Sequence, residues 1–137
     1  MMRLLIDKWI NALESGEYKQ GKHNLRTNDD TFCCLGVLCD IAVKEGILKE
    51  PVVLKDDDFY TYEDEGSKKQ NNYNMLPSRL ADIMGMTVDG SYYPKYDPKH
   101  YSLWKDNDTN RKSFKEISRI IRDNDDTMFN YEKSDYS

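Results

Sequence analysis

The chain has 137 residues, 38% hydrophobic and 33% charged, with a net charge of −5 and a pI of about 5.0. That length fits one domain with one modest core, and the acidic balance disfavours a general DNA or RNA binder, because a phosphate backbone is held mainly by clustered Lys and Arg. An odd set of three cysteines, an opening segment broken early by charge and an apolar run too short for a bilayer argue against a disulfide framework, a secretory leader and a membrane span, so cytoplasmic residence is expected.

In chain order, Leu5, Ile6, Trp9, Ile10 and Leu13 fall at helical spacing over residues 3–15, and Gly16 stops that helix. Residues 17–33 read as extended, with Tyr18, Gln20 and Leu25 along one strand, a turn near Gly21, and Thr27-Asn28-Asp29-Asp30 as a hairpin turn into Thr31-Phe32-Cys33. Residues 34–45 predict the most buried helix, closed by Gly46. Gly36 inside it costs roughly 1 kcal/mol relative to Ala, which points to close packing there. Val52-Val53-Leu54 and Phe59-Tyr60-Thr61-Tyr62 are β-prone around an Asp56-Asp57-Asp58 turn, and two readings stay open: an exposed hairpin or a partly disordered segment. Residues 66–74 read as a polar loop.

A short helix is predicted at 77–84, with Pro77 in its first turn and Gly85 at its end. Residues 86–104 read as irregular strands or loops, in which Tyr92, Tyr93, Tyr96, Tyr101 and Trp104 line a pocket, bind a partner or patch a thin core. The 10 Tyr against 4 Phe predict a half-solvated aromatic surface, since a phenol pairs an apolar ring with a hydroxyl that needs a partner. Ser113-Phe114-Lys115-Glu116 is a capping box that opens a helix through about Arg122. The expected fold is therefore a single α+β domain over residues 1–123: three main helices and one short helix, packed with a small antiparallel sheet. The helix at 34–45 is its spine, with 3–15 and 113–122 against it, and residues 124–137 form an acidic flexible tail.

Cys33 and Cys34 stand at a helix start, where backbone N–H groups lower a thiol pKa. As a nucleophile either needs a histidine base, and only His23 and His100 exist. The favoured reading is that both are small buried hydrophobes. The cysteine spacing does not suit zinc, and no metal or cofactor is expected. Lys19, Lys22 and Arg26 beside Tyr18 and Gln20 make a basic ribbon, and the helix start at Cys34 adds backbone donors for an anion. Asn107 and Asp108 either contact a ligand or form a turn. The expected ligand-binding set is Tyr18, Lys19, Gln20, Arg26, Cys34, Asn107 and Asp108.

The string Trp9-x-x-Ala12-Leu13-x-Ser15-Gly16-x-Tyr18-x-Gln20-Gly21, then Leu25-Arg26, then Phe32-Cys33-Cys34-Leu35-Gly36-Val37-Leu38-Cys39-Asp40, resembles a widespread group of small bacteriophage and prophage proteins. Leu76-Pro77, Gly85-Met86, and Asn107-Asp108 ahead of Phe114-x-x-Ile117-x-x-x-Ile121 extend the likeness over most of residues 8–122. Asp106 stands where the group usually has Leu, and the Tyr-rich stretch 91–101 and the tail after Asn124 are peculiar to this chain. The resemblance implies a phage accessory gene and no particular reaction. The leading expectation is an accessory protein that acts by binding: a sponge that captures a small anionic, nucleotide-like ligand of host immune signalling. The alternatives are an inhibitor that docks on a host protein through acidic blocks such as Asp56-Asp57-Asp58, and a cysteine enzyme using Cys33 or Cys34.

Overall fold

The computed structural model describes residues 2–53, 58–63, 71–95, 97 and 99–130. It is an α+β fold whose helices are α1 (Met2–Ser15), α2 (Cys34–Lys44), α3 (Ser78–Met84), α4 (Leu103–Asp108), α5 (Phe114–Asp123) and α6 (Asp125–Met128). The strands are β1 (Lys19–Gln20), β2 (Thr31–Phe32), β3 (Val52–Val53), β4 (Tyr60–Glu63), β5 (Asn71–Asn72), β6 (Ser91–Tyr92) and β7 (Tyr101–Ser102).

Helix α2 is buried on nearly every side, from Cys34 through Cys39 and again at Ile41 and Ala42. Each large apolar side chain so enclosed contributes about 1.5–3 kcal/mol, so this helix is the spine of the core. Helix α1 lays Leu5, Ile6, Trp9, Ile10 and Leu13 into it, and Trp9 Nε1 donates to Cys34 O at 2.9 Å. Gly36 has the close-packing role its position suggested: a Cβ there would lie 1.7 Å from Leu25 O, which itself accepts from Cys33 N at 3.3 Å. Helix α5 opens on the expected capping box, with Ser113 and Glu116 bonding each other's backbone N–H groups. It packs mainly on α1 and α4 rather than on α2, because α4 occupies the flank of the spine that α5 was expected to cover.

Three features depart from the sequence-based expectation. Strands β1 and β2 pair in parallel, not antiparallel, with Lys19 opposite Thr31 and Gln20 opposite Phe32. The chain bends back between them through Arg26, whose antiparallel bridge to Phe32 occupies the other edge of β2. Second, Leu103–Asp108 is a helix, capped by the Ser102 side chain bonding Lys105 N at 3.2 Å. Its six residues are too few and too polar to show a helical period. Third, residues 124–130 are packed rather than free: α6 buries Met128, and Phe129 follows it into the core beside Trp9, with ring centroids 6.5 Å apart. The rest of the expected tail, 131–137, lies outside the described residues.

The hairpin expected around residues 52–62 exists, with Val52 opposite Thr61 and Val53 opposite Tyr60; its turn at 54–57 lies outside the described residues. β5, expected as loop, pairs with the far end of β4. In the Tyr-rich stretch, Tyr92 and Tyr101 pair across β6 and β7 and stack at 5.8 Å. The Tyr92 hydroxyl bonds the buried Asp106 carboxylate. Asp106 and the Tyr-rich stretch 91–101, singled out separately in the sequence, thus meet in one interaction through Tyr92. Of the readings left open for these aromatics, Tyr92 takes the core-patching one.

Candidate functional site

Two side-chain amides hold together four chain segments that are remote in sequence. Gln20 Nε2 donates to Asn107 Oδ1 at 2.9 Å and to Lys112 O at 2.8 Å, while its Oε1 accepts from Phe114 N at 3.2 Å. Asn107 is 1% exposed. Its Oδ1 also accepts from Cys34 N at 3.2 Å, and its Nδ2 donates to Gly21 O and to Asp108 Oδ1, both at 2.9 Å. Asp108, 6% exposed at its side chain, accepts from His23 N at 3.1 Å. The end of β1, the start of α2, the last turn of α4 and the first turn of α5 are therefore locked to one another. Buried amides whose donors and acceptors are all matched rigidify what they join.

Beside this lock lies a concavity of about 220 Å³ lined by Gln20, Gly21, Lys22, Asn107, Arg111 and Lys112. Its rim carries three cations, and none of Lys22, Arg111 and Lys112 forms a salt bridge among the described residues. Arg111 sits at φ +54 and His23 at φ +71, a left-handed conformation that L-residues rarely adopt and that costs about 1–2 kcal/mol. Both are held there by the lock: Lys112 N bonds Asp106 O at 2.9 Å just beyond Arg111, and Asp108 takes the His23 N–H.

Of the expected ligand set, Gln20 and Asn107 line this concavity; the others are placed elsewhere. Tyr18 is half-buried, its hydroxyl bonded to Asp40 and receiving a proton donor from Lys44 Nζ at 3.2 Å. Burial, together with the Asp40 carboxylate, raises the Tyr18 pKa. Lys19 is exposed on β1. The Arg26 guanidinium lies 4.3 Å from the Tyr60 ring centroid and 5.2 Å from that of Phe32. It also donates through Nε and Nη2 to Asp30 at 2.9 and 2.7 Å, so it braces the hairpin rather than facing the concavity. Asp108 lies behind Asn107, in the lock.

Cys34 is fully buried, and its backbone N–H is already taken by Asn107. The neighbouring N–H of Gly36 is taken by Cys33 Sγ at 3.4 Å. The helix start is thus capped from within, and the expectation that its donors face an anion does not hold.

The cysteines are not presented as nucleophiles. Cys33 is 3% exposed and Cys34 and Cys39 are sealed. Burial pushes the Cys33 thiol up to about 12, against the pull of the Gly36 N–H, and also raises Cys34 and Cys39 well above the ordinary thiol value. Desolvation outweighs the helix start here because no bulk water reaches the sulfur. His23, whose side chain is 77% exposed, turns toward Asp108, with Nδ1 3.9 Å from the carboxylate. The small-hydrophobe reading of these residues is what their burial describes.

Sequence reasoning missed Arg111 and Lys112. Their signal was present as a basic doublet directly ahead of the Ser113 capping box, but it lies far along the chain from the basic ribbon at 19–26, whose Lys22 it joins only in the folded structure.

A family model described as "Domain of unknown function (DUF8296)" matches residues 1–125. The chain belongs to that family, and the match takes in the amide lock, the concavity and most of the core. Among curated proteins, the probable nuclear hormone receptor HR38 of Drosophila melanogaster is 28% identical over 92 residues, covering 61% of this chain and 8% of that protein. The chain therefore spans under a tenth of the length of that relative. No solved structure is significantly similar. Among the described residues, no helix is long and apolar enough to cross a membrane.

Proposed function

We propose that this protein acts by binding, and that it holds the phosphate or other oxyanion group of a small nucleotide-like ligand in the concavity beside the amide lock. The observation that carries this reading is the convergence of Lys22, Arg111 and Lys112 on one hollow in a chain whose net charge is −5. Three cations at one spot repel each other, and an anion between them removes that cost. Arg111 adds a planar fork matched to oxyanion geometry. Its left-handed backbone is the kind of local strain that persists where the surrounding structure over-determines it, and such strain clusters at binding sites.

Size narrows the ligand. Pockets that enclose a drug-sized molecule run to about 300–1,000 Å³; at about 220 Å³ this one suits a phosphoryl group and leaves the remainder of the ligand outside. Within this reading the protein is an accessory factor that sequesters a host signalling nucleotide; the resemblance to phage proteins supports an accessory role and names no ligand.

The test is a melting-temperature series with mononucleotides, dinucleotides, cyclic nucleotides and pyrophosphate. A ligand that binds only the folded state at 100 times its Kd adds about 2.7 kcal/mol. Lys112→Ala should abolish the shift without lowering the melting temperature of the free protein. Absence of any shift across the panel sinks the proposal.

A further inference from the structure

The cations at the concavity do not end there. Helix α5 continues from it, and a second concavity of about 230 Å³, lined by Glu14, Lys115, Ser118, Arg119 and Arg122, lies along its side. Both hollows are lined by the same two chain segments, residues 14–22 and 107–122. Lys115, Arg119 and Arg122 recur every three or four residues and so share one face of the helix. Two carboxylates lie among these cations, and both are engaged. Glu14 takes Arg122 Nη2 at 2.7 Å and the Ser118 hydroxyl at 3.1 Å, and Glu116 is spent on the capping box. Lys115 and Arg119 form no salt bridge among the described residues.

Within α5, from Lys115 to Arg122, the row is about 10 Å long at 1.5 Å per residue, and Lys112 extends it ahead of the helix start. A single phosphoryl group reaches one end of it. A nucleic-acid strand, at about 3.4 Å of axial rise per phosphate, lays roughly four phosphates along it. No aromatic ring lines either hollow, so the surface offers charge without a stacking platform for bases.

We infer that the α5 face is a track for the phosphodiester backbone of a nucleic-acid strand, which it holds without reading sequence, with the Lys22–Arg111–Lys112 hollow as its anchoring end. The inference rests on the anion-binding reading above and extends it from one phosphate to several. The net charge of −5 spoke against nucleic acid for the chain as a whole; along α5 the cations outnumber the two carboxylates among them, and both carboxylates are already engaged by Arg122, Ser118 and the capping box.

The experiment is fluorescence anisotropy with a labelled eight-nucleotide oligothymidylate across a salt series. Unlabelled thymidine monophosphate, a duplex of the same length and polyglutamate serve as competitors. The native protein should bind the oligonucleotide at least tenfold more tightly than the monophosphate. Its log–log salt slope should be near −3, as four neutralised phosphates of a single strand imply at about −0.7 each. The double variant Lys115→Ala/Arg119→Ala changes two exposed side chains outside the anchoring hollow. It should weaken the oligonucleotide about tenfold and flatten the slope by about 1.4, while leaving the monophosphate unchanged; Arg119→Lys should keep most of the affinity. Competition by the duplex shows that either form of the backbone is accepted.

An oligonucleotide bound no better than the monophosphate, or bound unchanged by the double variant, overturns the track and leaves the one-phosphate site standing. Polyglutamate competing as well as the oligonucleotide assigns the face to an acidic protein partner instead. No binding of either nucleotide probe overturns both readings.

Discussion

Gln20 and Asn107, 87 positions apart in the chain, join their side-chain amides at 2.9 Å beside the concavity, Asn107 buried and Gln20 half-buried. Their other bonds reach Gly21, Cys34, Lys112 and Phe114, with one more to the neighbouring Asp108. Asn107→Ala leaves the Cys34 N–H, the Gly21 carbonyl and the Gln20 amide without this partner. A buried polar group stripped of its partner costs about 1–3 kcal/mol, so the variant should lose at least 3 kcal/mol in urea unfolding. A loss under 1 kcal/mol would mean that the lock is not structural.

Gly36 faces the Leu25 carbonyl, where a Cβ would stand at 1.7 Å. Backbone cannot rotate away as a side-chain tip can, so Gly36→Ala must push α2 off the segment carrying Leu25. Overpacking of this kind costs about 1–3 kcal/mol or more, even though Ala is the better helix former by about 1 kcal/mol. Circular dichroism melts should show Gly36→Ala clearly below the native protein.

Arg111 offers a separation of stability from binding. At φ +54 a glycine takes the same backbone without the left-handed penalty, though it also enlarges unfolded-state freedom. Arg111→Gly should leave stability within about 1 kcal/mol of native, or raise it, while weakening anion binding at least fivefold in titration calorimetry. A variant that binds normally removes Arg111 from the site.

The thiols give a pH prediction. Cys33 is held at about 12 against an ordinary 9.0, and Cys34, Cys39, Tyr62 and Tyr92 are displaced in the same direction by burial. Between pH 9 and 12 the unfolded chain has released thiol protons that the folded chain retains, so the unfolded state binds fewer protons and stability falls as pH rises. Stability should therefore be insensitive to these groups below pH 9 and decline above it. At pH 7.5 the native protein should resist iodoacetamide while urea exposes all three cysteines. Rapid alkylation of the native protein would reopen the nucleophile reading.

The sequence by itself determined where the long helices run and which faces they bury. Period, caps and stops are local: Leu5 through Leu13 mark α1, the apolar run marks α2, and Ser113 with Glu116 marks α5 within a few residues. Gly36 was legible as a packing residue for the same reason, though not what it packs against. The residues of the concavity were half legible. Gln20 and Asn107 stood out, but as ligand groups, whereas they tie backbone segments together and only then line the hollow.

Only the tertiary structure decided the rest. The parallel pairing of β1 with β2 depends on a chain reversal between them that two-residue strands cannot announce. Helix α4 is too short to show a period and stands because Ser102 caps it and the core receives Leu103. The cysteines sit at a helix start that would activate a thiol in water, yet enclosure by α1 and α4 keeps them protonated. Lys22 meets Arg111 and Lys112 because two side-chain amides, of Gln20 and Asn107, hold remote segments against each other. Periodicity tells a residue which way to face, but what it faces is set by contacts between distant parts of the chain, and those are made only when the whole core closes.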